Sequence, residues 1–468
     1  MKSIFKKINK NDIIFFKEFL NDEQILTDKE KLHFYSKDYT EDLQFYPEIV
    51  LIPTDEFQVS KIVKYCNENI IPITASGART GLSGGALSVE GGIILSFEKL
   101  NKIHDLDEKN MQVTVGPGII NEDLKNYVAK RGLFYPPDPA SQGSSFIGGN
   151  VAENAGGPKA LKYGVTKDYV LNLQVVLANG EIIWTGANVL KNSTGYNLTQ
   201  LLVGSEGTLA IITKIVLKLI PLPKTSVSIL APFNSLENAA QVVSQIFVEG
   251  LFPSALEFME IDAIKLANKY IDEKIKIQKD VKAHLLIELD GNDIQLLLDD
   301  ADRLYSILEK YDCGEIILAD NKSHQNRIWK LRRFIGEAVK RHSVYKEQDT
   351  VVPRGELPSL IKGIKSIGKK YGFNSVCYGH AGDGNLHVNI LKENLSDEFW
   401  HNNIDDAIRE IFDLTVKLKG TISGEHGIGY VQKKFIDIAF DRNQITIQKN
   451  IKKVFDPNNI LNPGKIFE

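Results

Sequence analysis

The chain has 468 residues, too many for one ordinary hydrophobic core, so two or three domains are expected. Apolar and charged fractions of 43% and 25% and a net charge of -4 are those of a soluble globular protein and give no reason to expect nucleic acid as a partner. Three cysteines, Cys66, Cys313 and Cys377, have no metal-ligand spacing; they exclude a disulfide framework and a four-cysteine iron–sulfur cluster and point to a reducing compartment, the cytoplasm.

The N-terminal Met1-Lys-Ser-Ile-Phe-Lys-Lys carries charge but no following apolar run, so no signal peptide is expected. Residues 1–46 read as a helical lead-in. No segment offers 18 uninterrupted apolar residues, so no membrane-spanning helix is expected, and peripheral association stays open. Ile49-Val-Leu-Ile52 predicts a strand, Thr54 a helix N-cap, and Val59, Ile62, Val63 and Cys66 one helix face. Ile70–Thr74 returns as a strand, completing a βαβ unit. Further strands are expected at Ile93–Phe97, Gln112–Val115 and Leu171–Leu177, with a hairpin turn at Asn179-Gly180 into Glu181–Trp184, and an alternating run over Leu209–Leu219.

After Pro223 the pattern changes. Strands at Val227–Leu230, Ala255–Met259, Ala283–Leu289 and Glu315–Leu318 alternate with helices at Leu236–Val248 and Ile294–Lys310, which predicts a ferredoxin-like sheet. Lys362–Lys370 reads as a helix with a solvated charged face. The end of the chain is rich in turn residues: Asp456-Pro457, then Asn462-Pro-Gly-Lys465.

Three glycine clusters precede Pro223: Ser76–Gly85, Ser141–Gly157 and Gly204–Leu209. None is a Walker A loop or a G-x-G-x-x-G fingerprint. Such loops let backbone N–H groups wrap an anion, with Ser and Thr hydroxyls and Arg79 as added donors, and a pyrophosphate-bearing cofactor fits them. Tight turns and crowded strand crossings are the plainer use of the same residues.

Two further motifs lie late in the chain: His380-Ala-Gly-Asp-Gly-Asn-Leu-His387 and Gly424-Glu-His-Gly427. Two imidazoles and one carboxylate make a ligand set for a catalytic divalent ion, leaving the remaining histidine to move a proton. Gly382 and Gly384 flank Asp383 in a predicted tight turn. The following strand puts Asn385, His387 and Asn389 on one face. A glycine-rich hairpin with merely hydrogen-bonded histidines is the alternative.

In that order and spacing, from about Pro47 to Lys465, these motifs resemble the FAD-linked 2-hydroxyacid dehydrogenases, which include the flavin-binding chain of glycolate oxidase, D-lactate dehydrogenase and D-2-hydroxyglutarate dehydrogenase. These belong to the vanillyl-alcohol oxidase, or p-cresol methylhydroxylase, flavoprotein superfamily. The resemblance implies an α+β chain: a two-subdomain FAD-binding domain over 47–223, and a ferredoxin-like substrate cap over 224–454 with a helical C-terminal segment and both histidine motifs. A tail over 455–468 would return to the flavin domain.

By the same resemblance Ser76, Gly77, Ala78, Arg79, Thr80 and Gly81 would surround the pyrophosphate. Pro137, Ser141, Gly148, Gly149, Asn150, Asn154, Gly156, Glu206, Gly207, Ile212 and Asn462 would line the rest of the cofactor. The first loop has no His or Cys, so FAD is expected to be noncovalent. The metal ligands (for zinc, manganese or iron) fall on His380, His387 and Glu425, and the base on His426. Substrate contacts fall on Asn389, on Arg332 in Trp329-Lys-Leu-Arg332, and on Lys346 in Val344-Tyr-Lys346. Arg333 stands where relatives usually carry Glu.

The implied reaction oxidises a 2-hydroxy acid, D-lactate or glycolate, to the 2-oxo acid. Arg332 would clamp the carboxylate and His426 would take the hydroxyl proton. Electrons would leave to an external acceptor: a flavoprotein, cytochrome, quinone or iron–sulfur partner subunit. A homodimer is compatible with this reading. D-2-hydroxyglutarate is the alternative substrate; Lys346 favours it, while Gly336, one helical turn after Arg332, offers no side chain to a second carboxylate. A metal-dependent hydrolase and a noncatalytic FAD-binding subunit are the alternatives of other classes.

Overall fold

The computed structural model describes residues 4–40 and 42–467; residues 1–3 and 41 of the expected lead-in lie outside them. The chain divides into two units. The first takes Met1–Ala155, Val165–Leu222 and Glu425–Glu468, and the second Gly156–Gly164 and Pro223–Gly424.

Among the described residues the first unit holds two larger sheets and a two-stranded ladder of Leu133–Phe134 with Ile220–Pro221. In one, Ile49–Leu51, Ile93–Ser96 and Ile73–Ser76 pair in parallel, with Ile25–Leu26 as an antiparallel edge. Strands covered on both faces read as continuous apolar runs, as Ile49–Leu51 and residues 93–95 do. The crossover helix Glu56–Asn69 buries Val59, Ile62, Val63 and Cys66. Its N-cap is Asp55 rather than Thr54: the extended backbone falls at Asp55, whose carboxylate accepts the Gln58 N–H at 2.8 Å. Thr54, one residue outside the helix frame, accepts no first-turn N–H; its own N–H bonds the Gln58 side chain.

The other sheet is antiparallel, in the order Ile103–Asp107, Gln112–Val115, Ile211–Lys218, Val170–Val176, Ile182–Trp184. The last pair is closed by the Asn179-Gly180 turn. The C-terminal residues join the first sheet. The Ile73 N–H donates to Ile460 O and the Asn462 N–H to Ile73 O, both at 2.7 Å, so residues 460–462 cover an otherwise open strand edge.

The second unit is one seven-stranded antiparallel sheet. Its order is Ile317–Ala319, Thr225–Phe233, Ala283–Gly291, Ala255–Glu260, Asn374–Gly379, Asn385–Leu391, Tyr345–Val351. Numbered along the chain, the first four stand 4-1-3-2, the ferredoxin-like order, with helices Leu236–Val248 and Ile294–Glu309 as crossovers. The remaining three strands extend that sheet and carry the histidines. Helix Lys322–His342 packs on one face through Ile328, Leu331 and Ile335 against Met259, Val376 and Tyr378. Segment Gly156–Gly164 is tied to this sheet by charge: Lys159 pairs with Glu288, and Lys162 with Asp290 at 2.6 Å.

Asn462 Nδ2 donates to Gly85 O at 3.0 Å and Glu206 O at 2.8 Å. Asn462→Ala strands the Glu206 carbonyl, while Gly85 O keeps a donor in Lys465 Nζ at 3.3 Å, and is expected to cost about 1–3 kcal/mol, read as a lower urea midpoint at unchanged slope.

Candidate functional site

In the first unit the three glycine clusters converge. A Cβ built on Gly77 would lie 3.9 Å from Gly149, one on Gly207 3.7 Å from the Ala75 side chain, and one on Gly204 3.4 Å from Asn154. Backbone bonds join them as well: the Gly204 N–H donates to Val151 O and the Glu206 N–H to Ala152 O, both at 2.9 Å. Cβ atoms on Gly81 or Gly149 would meet nothing within 4 Å, so both backbones face open space, as a cradle for a bulky anionic cofactor requires.

Asn121 carries no signal of a site residue in sequence. Its buried side-chain amide holds the middle stretch, donating to Asn150 Oδ1 at 3.1 Å and Pro137 O at 3.4 Å. Arg79 supplies its backbone to the first loop, at φ +58, but its guanidinium is stacked on Phe34 and Tyr35, 4.3 and 4.5 Å from their ring centroids. Ser76 is fully buried, Ser141 O accepts from the Ser144 and Ser145 amides, and Ile212 pairs with Val175. Gly156 belongs to the second unit.

In the second unit His380 follows one strand of a hairpin and His387 lies on the other, with ring centroids 5.4 Å apart and planes at 82°. The turn between them needs both glycines for different reasons. Gly384 has φ +87 and passes so close to the 352 carbonyl that no Cβ fits, whereas Gly382 has an ordinary φ and is crowded by Leu161.

Strand register decides what shares the face of His387. Across the ladders His387 stands opposite Tyr378 and Asp349, and Asn389 opposite Val376 and Glu347. Directly paired residues point the same way. Glu347 Oε1 therefore reaches to 3.1 Å from His387 Nδ1, and Asp349 Oδ1 to 3.8 Å. Lys346, one residue from Glu347, points to the opposite face, where its Nζ lies 5.6 Å from the Trp400 ring centroid and 3.8 Å from Asp405. The structure thus does not bring Lys346 to the histidines.

Arg332 does share their face, on the helix packed against it. Its Nη2 is 2.6 Å from Glu257 Oε2, and its guanidinium lies over Tyr378 at 5.1 Å. Glu257 also meets His380 Nδ1 at 2.8 Å. Burial pushes the Glu257 carboxyl up, but His380 and Arg332 outweigh burial and hold it below the ordinary range. A signal for Glu257 does exist: a glutamate inside the strand Ala-Leu-Glu-Phe-Met is out of place unless paired.

Asp349 holds Ser423 and Gly424 within its own unit. Its carboxylate accepts from Asn385 Nδ2 at 2.7 Å, the Gly424 N–H at 2.8 Å and Ser423 Oγ at 3.1 Å. The unit boundary falls at the next peptide bond, so Glu425 and His426 open the last segment of the first unit. There the loop is held by Glu206, whose carboxylate accepts the Ile428 N–H at 2.8 Å and the Gly429 N–H at 2.7 Å.

Glu153 lies against the same loop: a Cβ on Gly427 would fall 2.3 Å from its Oε2. That oxygen is buried and has no hydrogen-bond partner among the described residues. Burial, then the neighbouring Glu206, raises the Glu153 carboxyl well above the ordinary range. Burial also raises Glu206, although the two amides work against it. Burial pushes Lys465 down to about 8, opposed by Glu206, Asp38 and Glu153.

Two family descriptions match the chain: "FAD binding domain" over residues 47–186, and "FAD linked oxidases, C-terminal domain" over residues 222–466. The chain belongs to the FAD-linked oxidases. Among its relatives in this family, "Glycolate oxidase subunit GlcD" of Bacillus subtilis is 40% identical over 92% of this chain and 92% of its own length. "D-lactate dehydrogenase" of Anaerostipes hadrus is 37% identical over 99% and 98%, and "D-2-hydroxyglutarate dehydrogenase" of Stutzerimonas stutzeri 32% over 95% and 96%.

The fold matches the solved p-cresol methylhydroxylase with a TM-score of 0.78, at 18% identity over 99% of this chain and 98% of that one. Like its relatives, this FAD-linked oxidase is an oxidoreductase of the glycolate, D-lactate and D-2-hydroxyglutarate dehydrogenase type, and the first two of the converging glycine loops fall within the residues matched as its FAD-binding domain.

A carboxyl whose folded pKa is raised contributes stability below its unfolded value, and that contribution is lost as pH rises through the folded value. Glu153→Gln keeps the neutral shape at every pH. The variant is expected to match wild type in Tm near pH 4 and to exceed it increasingly as pH rises towards 8, in thermal scans at matched ionic strength.

Proposed function

We propose that this FAD-linked oxidase converts a short 2-hydroxy monocarboxylate, D-lactate or glycolate, to the 2-oxo acid, using noncovalent FAD and a divalent ion. The observation that carries the reading is one sheet face bearing His380, His387 and Asn389, with Arg332 on the helix packed against it. The donor set suits a divalent ion: with His380 Nδ1 engaged by Glu257, its Nε2 is left as the ligating nitrogen. Glu425 would complete the set.

Bound FAD would supply the two-electron acceptor for the hydride leaving the α-carbon. The ion, whether zinc, manganese or iron, would polarise the substrate hydroxyl. Arg332 would pair with the substrate carboxylate in bidentate geometry, Asn389 would orient the substrate through its amide, and His426 would accept the hydroxyl proton. Hydride and proton together account for the two electrons and two hydrogens lost. In the flavin unit Ser76–Gly81 would cradle the pyrophosphate, and the stretches 137–154 and 206–212 with Asn462 would line the remainder.

The preference for a monocarboxylate rests on charge. A dicarboxylate needs a second cationic or hydrogen-bonding anchor. Glu347 rather than Lys346 shares the histidine face, and Gly336 has no side chain, with the Tyr378 hydroxyl 3.2 Å from where its Cβ would be. Reoxidation would fall to a separate protein or quinone, consistent with a relative named as an oxidase subunit. A cytoplasmic location, with peripheral contact to a membrane-bound acceptor, fits a chain in which no described helix is long and apolar enough to cross a membrane.

Anaerobic mixing with D-lactate or glycolate is expected to bleach the flavin with a higher kcat/KM than D-2-hydroxyglutarate; the reverse order would remove the monocarboxylate assignment. His426→Ala should slow bleaching by about 10²–10⁴-fold at unchanged flavin content. Removing the ion with EDTA should abolish bleaching while the yellow absorbance stays, and adding zinc or manganese should restore it.

A further inference from the structure

We propose that Glu257 is a positioning residue that couples the metal-binding His380 to the substrate-binding Arg332, and that metal affinity depends on it. The inference rests on the metal reading above. Glu257 lies on the strand Ala255–Glu260 with no exposed surface. Its Oε1 and Oε2 are 2.8 and 3.0 Å from His380 Nδ1, and Oε2 is 2.6 Å from Arg332 Nη2. One carboxylate therefore serves two groups that act on different atoms of the reaction.

The chemistry follows from the imidazole. A carboxylate can only accept, so the facing Nδ1 carries hydrogen, and Nε2 is left with a lone pair aimed away from Glu257. The charge behind the ring also raises the basicity of Nε2, the usual outer arrangement around a ligating histidine. On its other side the same carboxylate keeps Arg332, itself only 6% exposed, beside the Tyr378 ring; that ring lies 5.4 Å from the His387 ring. The order of contacts is thus His380, Glu257, Arg332, Tyr378, His387, a series that links the two imidazoles.

The same strand supplies an internal comparison. Glu260, three residues on, is also buried, but on the opposite face. It pairs with Lys365 at 2.6 Å and accepts the Cys377 N–H at 2.7 Å, so a lysine and a strand amide stand where Glu257 has an imidazole and a guanidinium. A buried glutamate serving only to hold the sheet would look like Glu260.

The test is equilibrium binding of Zn²⁺ and Mn²⁺ to the full FAD-loaded chain by chelator competition, with flavin content as the folding control. Glu257→Gln is expected to weaken binding about 10–100-fold at wild-type flavin content. Glu257→Asp, which keeps the charge but shortens the reach, should lose less. Glu260→Gln should lower Tm while leaving metal affinity within about threefold of wild type, since its partners are outside the ligand set. If wild type binds the ion and Glu257→Gln and Glu257→Asp bind it equally well, the role of Glu257 falls and the metal reading stands. If wild type binds neither ion, both fall.

Discussion

A buried carboxylate cannot be left alone in a medium that solvates it poorly, and this constraint organises the loops and strands of each unit. Glu257 is matched by His380 and Arg332, Asp349 by Asn385, Ser423 and the Gly424 amide, and Glu206 by the Ile428 and Gly429 amides. In each case the donors are motif residues or their immediate neighbours. Satisfying the acid and fixing the motif are the same event. Glycines at 424 and 427 make it feasible, because a side chain there would meet Asn385 or the two glutamates.

The second organising constraint is the period of two along a strand. It assigns His387, Asn389, Glu347, Asp349 and Tyr378 to one face of the cap sheet and turns Lys346 to the other. A one-residue shift in register would exchange Lys346 for Glu347 and reverse the local charge facing a substrate. The helix carrying Arg332 packs on the histidine face through its own 3.6-residue stripe, so the arginine arrives there as part of ordinary core formation.

Much of this is legible in the sequence. The parallel βαβ start, the Asn179-Gly180 hairpin, the ferredoxin-like order and the strand leaving His387 all follow from periodicity and turn residues. The N-cap sits one residue later than expected because a cap is chosen by backbone geometry, which Thr54 and Asp55 offer equally well in sequence. That Phe34 and Tyr35 stack on the Arg79 guanidinium is not visible in the sequence, since nothing local to Arg79 reveals it. Asn121 and Asp349 escape a sequence reading for the same reason, and the out-of-place glutamate at 257 does not reveal its partner: Asn150 stands 29 positions from Asn121, Asn385, Ser423 and Gly424 stand 36, 74 and 75 from Asp349, and His380 stands 123 from Glu257.

By itself the sequence determined the residues on offer: glycine-rich loops, two imidazoles and a glutamate of the types that can hold an ion, one more histidine beside them, and the family to which the chain belongs. Such content is carried by residue type and short spacing, which local sterics and ligand chemistry fix without reference to the rest of the chain. Only the tertiary structure decided which carboxylate faces which imidazole, and that Glu347 rather than Lys346 joins the histidines. Those choices depend on strand register and helix packing, where contacts between distant residues, not neighbours, set the energy.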